Sequence, residues 1–175
     1  MSWRLITYRL PAEPSRHRVA VWRELRRLGA VPLQQGTWVL PEGEVFDAGL
    51  TQVIATISDA GGQPVVLKVA NDDIGTVSLE DLFTAQREAE WGEFLRECAK
   101  YEAELDDEVA KGKLTLAELD EEEESLERLR RWYRTIRGRD AYGAPSASEA
   151  ERRLQECADA LEHFAELVYQ AKERP

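Results

Sequence analysis

The sequence is poor in the residues that build several common kinds of site. Its 175 residues include only two Cys and two His. Two Cys are too few for a disulfide scaffold, and no Cys or His pair has the spacing of a zinc site. A glycine-rich phosphate loop and a zinc-protease motif are also lacking. We therefore expect a protein that is not an enzyme, with no catalytic residue, no metal and no cofactor.

Long apolar runs are absent as well. The sequence contains no run of about 18 apolar residues, so we expect no membrane span and no membrane partner. The segment MSWRLITYRL lacks the ordered charged, apolar and cleavage regions of a signal peptide. A cytoplasmic location is the resulting expectation. With 43% hydrophobic residues and five Trp, the chain can still bury a sizeable core.

Positive charge is scarce except near the N-terminus. The net charge is −11, but residues 1–35 hold seven Arg against two Glu. The remaining 140 residues hold 16 basic and 32 acidic groups. A protein that binds nucleic acid is usually basic over its contact surface. Only the first 35 residues meet that condition.

The chain is organised around residues 5–41, which predict three elements in close succession. Alternating apolar and polar residues predict a strand over 5–10. Ser15 is a candidate N-cap for a helix that ends at Leu28, where Gly29 follows in the position that glycine favours. Two short strands, 31–34 and 37–40, then form a hairpin around a tight turn.

The predicted helix has two unlike faces. At 100° per residue, one sector is apolar and is expected to lie on the sheet. Its members are Val21, Trp22, Leu25 and Leu28. Four other positions on the helix are arginines that can reach water. Because guanidiniums bind phosphates, these arginines form the candidate nucleic-acid-binding site. These candidates are Arg16, Arg18, Arg23 and Arg27. The same pattern is typical of a solvated outer face, and both interpretations stay open.

A second helix over 45–60 and a strand over 63–69 complete the order strand, helix, strand, strand, helix, strand. That order is typical of a ferredoxin-like βαββαβ sandwich. From Ser78 the apolar spacing becomes helical, and three long helices predict an antiparallel three-helix bundle. The predicted class is α+β, with a ferredoxin-like domain over 1–75 and a helical bundle over 78–173.

The predicted bundle has capping signals at Ser78, Thr115 and Ser148. The acidic run 121–124 lies near a helix start, where the helix dipole favours carboxylates, so it needs no metal to explain it. A metal-dependent enzyme that uses Glu121 and Glu124 remains a weaker alternative. Cys98 and Cys157 occupy seam positions, so we expect both thiols to be buried, reduced and near each other.

The run YRLPAEPSRHRVAVWRELRRLGAVPLQQGTWVLP resembles the N-terminal region of ChrB-type chromate-resistance proteins. It is similar, more distantly, to the central domain of PaaX-type repressors. The later runs ELDEEEESLERLRRWYRTIRGRDAYGAP and CADALEHFAELVYQAKE also resemble the ChrB N-terminal region. The resemblance implies a ferredoxin-like fold and a cytoplasmic regulator of a chromate-resistance operon.

Two classes of function follow from these observations. The first is a transcriptional regulator that binds DNA through the arginine face of the first helix, with phosphate contacts and little base readout. The second is a non-enzymatic dimeric scaffold that uses the sheet edge or the bundle. DNA and a second copy of the chain are accordingly the two partners to consider.

Overall fold

The computed structural model describes residues 2–70 and 78–173. Across these residues the fold is a mixed α/β one, and most of it is helical. The elements follow one another in this order: β1 (Ser2–Arg9), α1 (Ser15–Leu28), β2 (Val31–Gln34), β3 (Thr37–Pro41), α2 (Glu44–Asp59), β4 (Gln63–Ala70), α3 (Leu79–Lys111), α4 (Leu116–Arg139) and α5 (Ala147–Glu173). The predicted combination of strands and helices is confirmed at this level.

The four strands form one antiparallel sheet in the order β2-β3-β1-β4. The central strand β1 pairs with β4 along its whole length, from Ser2 opposite Ala70 to Arg9 opposite Gln63. On its other side β1 pairs with β3, where Ile6 lies opposite Trp38. Strand β1 therefore holds the sheet together, and β2 and β4 are its edges.

The chain divides into two compact units, Met1–Gln86 and Arg87–Pro175. The boundary predicted between 75 and 78 falls largely on residues outside the described ranges and stays a prediction. The first unit has a core of apolar residues from strands and helices, including Ile6, Val21 and Leu25. Phe83 of α3 belongs to this core and lies 5.8 Å from the ring of Trp3 in an edge-to-face contact.

Helix α1 begins and ends close to the predicted residues, but its N-cap differs from the prediction. Ser15 is the first helical residue, and Pro14 takes the cap position without a side-chain hydrogen bond. Gly29 ends the helix with a φ of 84°, as expected for a glycine at this position. The prediction of Ser15 as the cap is therefore wrong by one residue.

The second unit is built from three long helices that share one apolar core. Trp91 and Phe94 of α3 contact the ring of Tyr133 on α4, at 5.3 and 5.9 Å between centroids. The predicted caps at Ser78 and Thr115 are confirmed, since each hydroxyl accepts a backbone N–H three residues later. The cap predicted at Ser148 is wrong, because α5 already begins at Ala147.

Cys98 and Cys157 lie together in the core of the second unit. Both thiols are free and buried, as predicted. The Cys157 thiol donates to the backbone oxygen of Cys98, with 3.7 Å between sulfur and oxygen. Contact with Cys157 lowers the pKa of Cys98, and the same contact together with burial raises the pKa of Cys157.

Three charged side chains are also buried in the second unit, namely Arg87, Glu122 and Asp140. The Asp140 carboxylate accepts hydrogen bonds from the indole of Trp91 at 3.1 Å and from the backbone N–H of Ala144 at 3.0 Å. Arg87 is paired with Glu90 at 3.0 Å. Two of the three charges therefore have polar partners that compensate for their burial.

Candidate nucleic-acid interface

Helix α1 concentrates positive charge at the surface of the first unit. It buries Val21 and Leu25 and leaves every one of its arginines exposed. These arginines are Arg16, Arg18, Arg23, Arg26 and Arg27. Among the described residues, Arg16, Arg18 and Arg23 form no salt bridge, so their guanidiniums are available to an external anion.

The structure distributes the four predicted arginines over different surfaces. Arg18 lines a cleft of about 690 Å³ beside the helix. Arg27 lines a smaller groove of about 200 Å³ between α1 and α2. Arg16 and Arg23 belong to the lining of neither. The four residues are thus all exposed, but they do not converge on one site.

The larger cleft has three walls, and we call it the arginine–tryptophan cleft. Helix α1 gives one wall, the end of β1 the second, and the β2–β3 hairpin the third. Its lining residues are Tyr8, Arg9, Leu10, Arg18, Trp22, Arg26, Pro32, Gln34, Gln35, Gly36 and Trp38. This lining contains three arginines and neither Asp nor Glu, so it favours an anionic ligand.

The wall from α1 consists of Arg18, Trp22 and Arg26, spaced four residues apart. Residues at this spacing share one helix face. The Arg26 guanidinium lies over the Trp22 ring, 5.6 Å from its centroid. This cation–π contact holds a cationic group beside an aromatic surface. The face therefore offers both a positive charge and a planar stacking surface.

Trp22 does not lie on the sheet, contrary to the prediction, and half of its surface (50%) is exposed. The reason is its angular position. On a helical projection it lies roughly 90° from the centre of the row formed by Val21, Leu25 and Leu28. That row faces the core, and Trp22 borders it on the side of the cleft.

The opposite walls are fixed by contacts between β1 and the hairpin. The backbone N–H of Tyr8 donates to the carbonyl oxygen of Gly36 at 2.9 Å. Gly36 has a φ of 73°, and a Cβ there would lie 2.6 Å from the Tyr8 oxygen. Burial raises the pKa of the Tyr8 hydroxyl, and a hydrogen bond from Trp38 opposes that shift. These contacts form the walls of the cleft without a ligand.

Sequence reasoning missed Arg9, Arg26, Tyr8 and Trp22 as members of a site. A signal was present for Trp22 and Arg26, because they follow Arg18 at a strict spacing of four residues. Nothing local indicated Arg9 or Tyr8, since they join the cleft only through the pairing of β1 with the hairpin. The site therefore depends on tertiary structure more than on the arginine periodicity.

Two other kinds of feature, a metal site and a membrane-spanning helix, bear on the alternatives raised by the sequence. Within 2–70 and 78–173, no three His, Cys, Asp or Glu side chains are grouped as a metal site would require. In the same ranges, no helix has the length and apolar character needed to span a bilayer.

A protein-family model described as "Protein ChrB, N-terminal" matches residues 18–175. The chain therefore belongs to the ChrB N-terminal family, and the resemblance noted in the sequence is confirmed. The matched span includes Arg18, Trp22 and Arg26 of the cleft. No curated protein and no solved structure matches the chain.

Proposed function

We propose that this protein is a chromate-resistance-type regulatory protein that binds DNA through α1 and acts in the cytoplasm. The phosphate contacts come from Arg16, Arg18, Arg23 and Arg27, and no catalytic step is assigned to the chain. The observation that carries the proposal is the five exposed arginines on one 14-residue helix of a protein whose net charge is −11. Family membership supports the link to chromate resistance.

The proposal includes a finer description of the fold. The strand order β2-β3-β1-β4 and the element order β1 to β4 support a ferredoxin-like sandwich in the first unit. The shared core of α3, α4 and α5 supports an antiparallel three-helix bundle in the second. In this fold the arginines of α1 are exposed at the surface of the first unit.

Electrostatics restrict how DNA is bound. Beyond residue 35 the chain has 32 acidic groups against 16 basic ones, so most of its surface repels a phosphate backbone. Contact is therefore limited to the surface around α1. Arginine–phosphate contacts release counterions, and each one adds about 0.9 to the slope of log K against log salt concentration.

The test is fluorescence anisotropy with a labelled 30-base-pair duplex at several salt concentrations. The variant Arg23→Ala/Arg27→Ala should weaken binding to all duplex sequences alike and reduce the salt slope by about two. The matched control is Arg134→Ala/Arg137→Ala, which removes two exposed arginines from α4. Equal binding by the α1 variant and the parent would overturn the proposal, as would a parent that binds neither the duplex nor its single strands.

A second candidate function, a homodimeric scaffold, is favoured by strand β4. This strand lies at an edge of the sheet and carries Val65, Val66 and Leu67 with a third to a half of each side chain exposed. The backbone N–H of Tyr8 donates to the hairpin. The backbone N–H and C=O groups of even-numbered residues in β1 therefore point toward β3, and those of odd-numbered residues point toward β4. On β4, the N–H groups of Val66 and Lys68 consequently point outward.

An outward row of N–H and C=O groups can pair with the same strand of a second copy. Sedimentation of the parent should then give a dimer, and Leu67→Lys should give a monomer. Because Leu67 is 51% exposed, this substitution should leave the fold of each chain intact. A parent that stays monomeric at high micromolar concentration would rule out this second candidate.

A further inference from the structure

The arginine–tryptophan cleft has features that a duplex phosphate backbone does not use. Phosphate contacts require cations on an open surface, and Arg16 and Arg23 already satisfy that requirement. The cleft adds a half-exposed tryptophan and two exposed amide side chains, Gln34 and Gln35. Its contents therefore fit a ligand that is planar and polar as well as negatively charged.

Trp22 is the central feature of the cleft. A tryptophan ring that is 50% exposed presents a large apolar surface to water, and burial of that surface on binding is favourable. Arg26 lies over the ring at 5.6 Å and restrains its orientation. A nucleobase stacks on such a platform with a gain of about 1–3 kcal/mol, whichever base it is.

The charges lie where the rest of a nucleotide would be. Arg18 and Arg26 flank Trp22 one helical turn to either side, and Arg9 comes from the facing wall. In the described parts of the chain, neither Arg9 nor Arg18 forms a salt bridge with a carboxylate. A base on Trp22 would thus have guanidiniums within reach of its phosphates on two sides.

The facing wall can contact the polar edge of a base. Gln34 and Gln35 are exposed at the hairpin and carry both amide donors and amide acceptors. The hairpin is held against β1 by the contact between Tyr8 and Gly36. The volume of the cleft, about 690 Å³, also falls in the usual range for a ligand site.

We propose that the arginine–tryptophan cleft holds one unpaired nucleotide of a DNA strand, with its base stacked on Trp22 and its phosphates on Arg9 and Arg18. This inference rests on the proposed function, namely binding to nucleic acid through the first unit. Bases in a duplex are stacked on each other and cannot reach Trp22. The protein should therefore prefer single-stranded DNA, or duplex DNA with an unpaired base, over an intact duplex.

The experiment compares three labelled probes with the full chain at one salt concentration. They are a 20-nucleotide single strand, the same backbone with abasic sites, and a duplex of the same sequence. The base-containing single strand should bind at least about five-fold more tightly than the abasic strand, as expected for one stacked base. Trp22→Ala should abolish this difference, and Trp22→Phe should retain most of it.

The matched control for Trp22→Ala is Tyr169→Ala, since Tyr169 is a similarly exposed aromatic residue on α5. It should leave all three affinities unchanged. Competition by free mononucleotides at similar concentration would support the same ligand chemistry but assign the cleft to free nucleotides.

The outcomes separate the two proposals. Equal binding of base-containing and abasic strands would overturn the cleft inference and leave the proposed function standing. Binding to none of the three probes would overturn both. Loss of the base preference in Tyr169→Ala, but not in Trp22→Ala, would also overturn the assignment to this cleft.

Discussion

Replacing Glu122 by Gln tests the energetics of the second unit most directly. Glu122 is only 7% exposed, and one of its carboxylate oxygens has no hydrogen-bond partner among the described residues. Burial is the main cause of its raised pKa. The remaining causes are neighbouring carboxylates of two helices: Glu104 and Glu108 on α3, and Glu118 and Glu121 on α4. Every factor disfavours the charged form, so Glu122 destabilises the fold when ionised.

The expected magnitude follows from the cost of an unsatisfied buried polar group, which is about 1–3 kcal/mol. A neutral amide removes the charge repulsion and part of that cost. Glu122→Gln should therefore raise the free energy of unfolding by about 1 kcal/mol at pH 7.5, or the Tm by about 2–4 °C. The matched control is Glu121→Gln, which removes an equal charge from an exposed neighbour. It should change stability by less than about 0.5 kcal/mol.

The direction of the pKa shift of Glu122 determines how the stability gain of Glu122→Gln changes with pH. The folded-state pKa of Glu122 lies above the unfolded value of about 4.3. Its protonated form is thus favoured by folding, and that contribution is lost as the pH rises through the folded pKa. The gain in free energy of unfolding from Glu122→Gln should be complete above this pKa and should vanish as the pH falls toward about 4.3. Urea unfolding at a series of pH values measures it, and an advantage that grows on acidification would refute the reasoning.

Three further predictions concern other parts of the chain. Gly36→Ala should destabilise the first unit by more than about 1 kcal/mol in urea unfolding, because its φ is positive and its Cβ would lie 2.6 Å from a β1 carbonyl oxygen. Cys98 and Cys157 are fully buried, so a thiol-reactive dye should label them only at the rate of unfolding. Rapid labelling of the native protein would contradict their burial. Asp140→Ala should lower the free energy of unfolding by about 2–3 kcal/mol, because it leaves the Trp91 indole and the buried backbone N–H of Ala144 without their acceptor. Near-normal stability of this variant would contradict that role.

Periodicity predicted the helices of the second unit well but missed its buried charges. On α4 the apolar residues Leu119, Leu126 and Leu129 leave a gap of seven between the first two. A spacing of three to four requires a residue in that gap, and it is Glu122. Arg87 fills the corresponding gap of eight between Phe83 and Trp91. A spacing of three to four therefore points to both positions, although Arg and Glu are almost never fully buried unless paired.

The site was less predictable than the fold because it depends on two kinds of information. The helical projection is local, and it separated the buried Val21 and Leu25 from Arg16, Arg23 and Arg27. Whether the adjacent row of Arg18, Trp22 and Arg26 faces open solvent or a cleft depends on where the hairpin lies. The hairpin is positioned by the contact between Tyr8 and Gly36, which are 28 residues apart in sequence. A strand register of this kind cannot be derived from the spacing within one helix.

This dependence also explains why four of the five arginines of α1 divide into two groups, while Arg27 lines a separate groove. Those that face away from the core, Arg16 and Arg23, need only remain exposed to contact phosphates. Arg18 and Arg26 have a geometry that is set by the packing of other elements, since both lie beside a tryptophan across from β1 and the hairpin. Loss of the hairpin contact should therefore disturb the second group and leave the first unchanged. The two groups carry the same charge, but only the second lies beside Trp22, so the proposed preference for an unpaired base over a bare phosphate depends on that group.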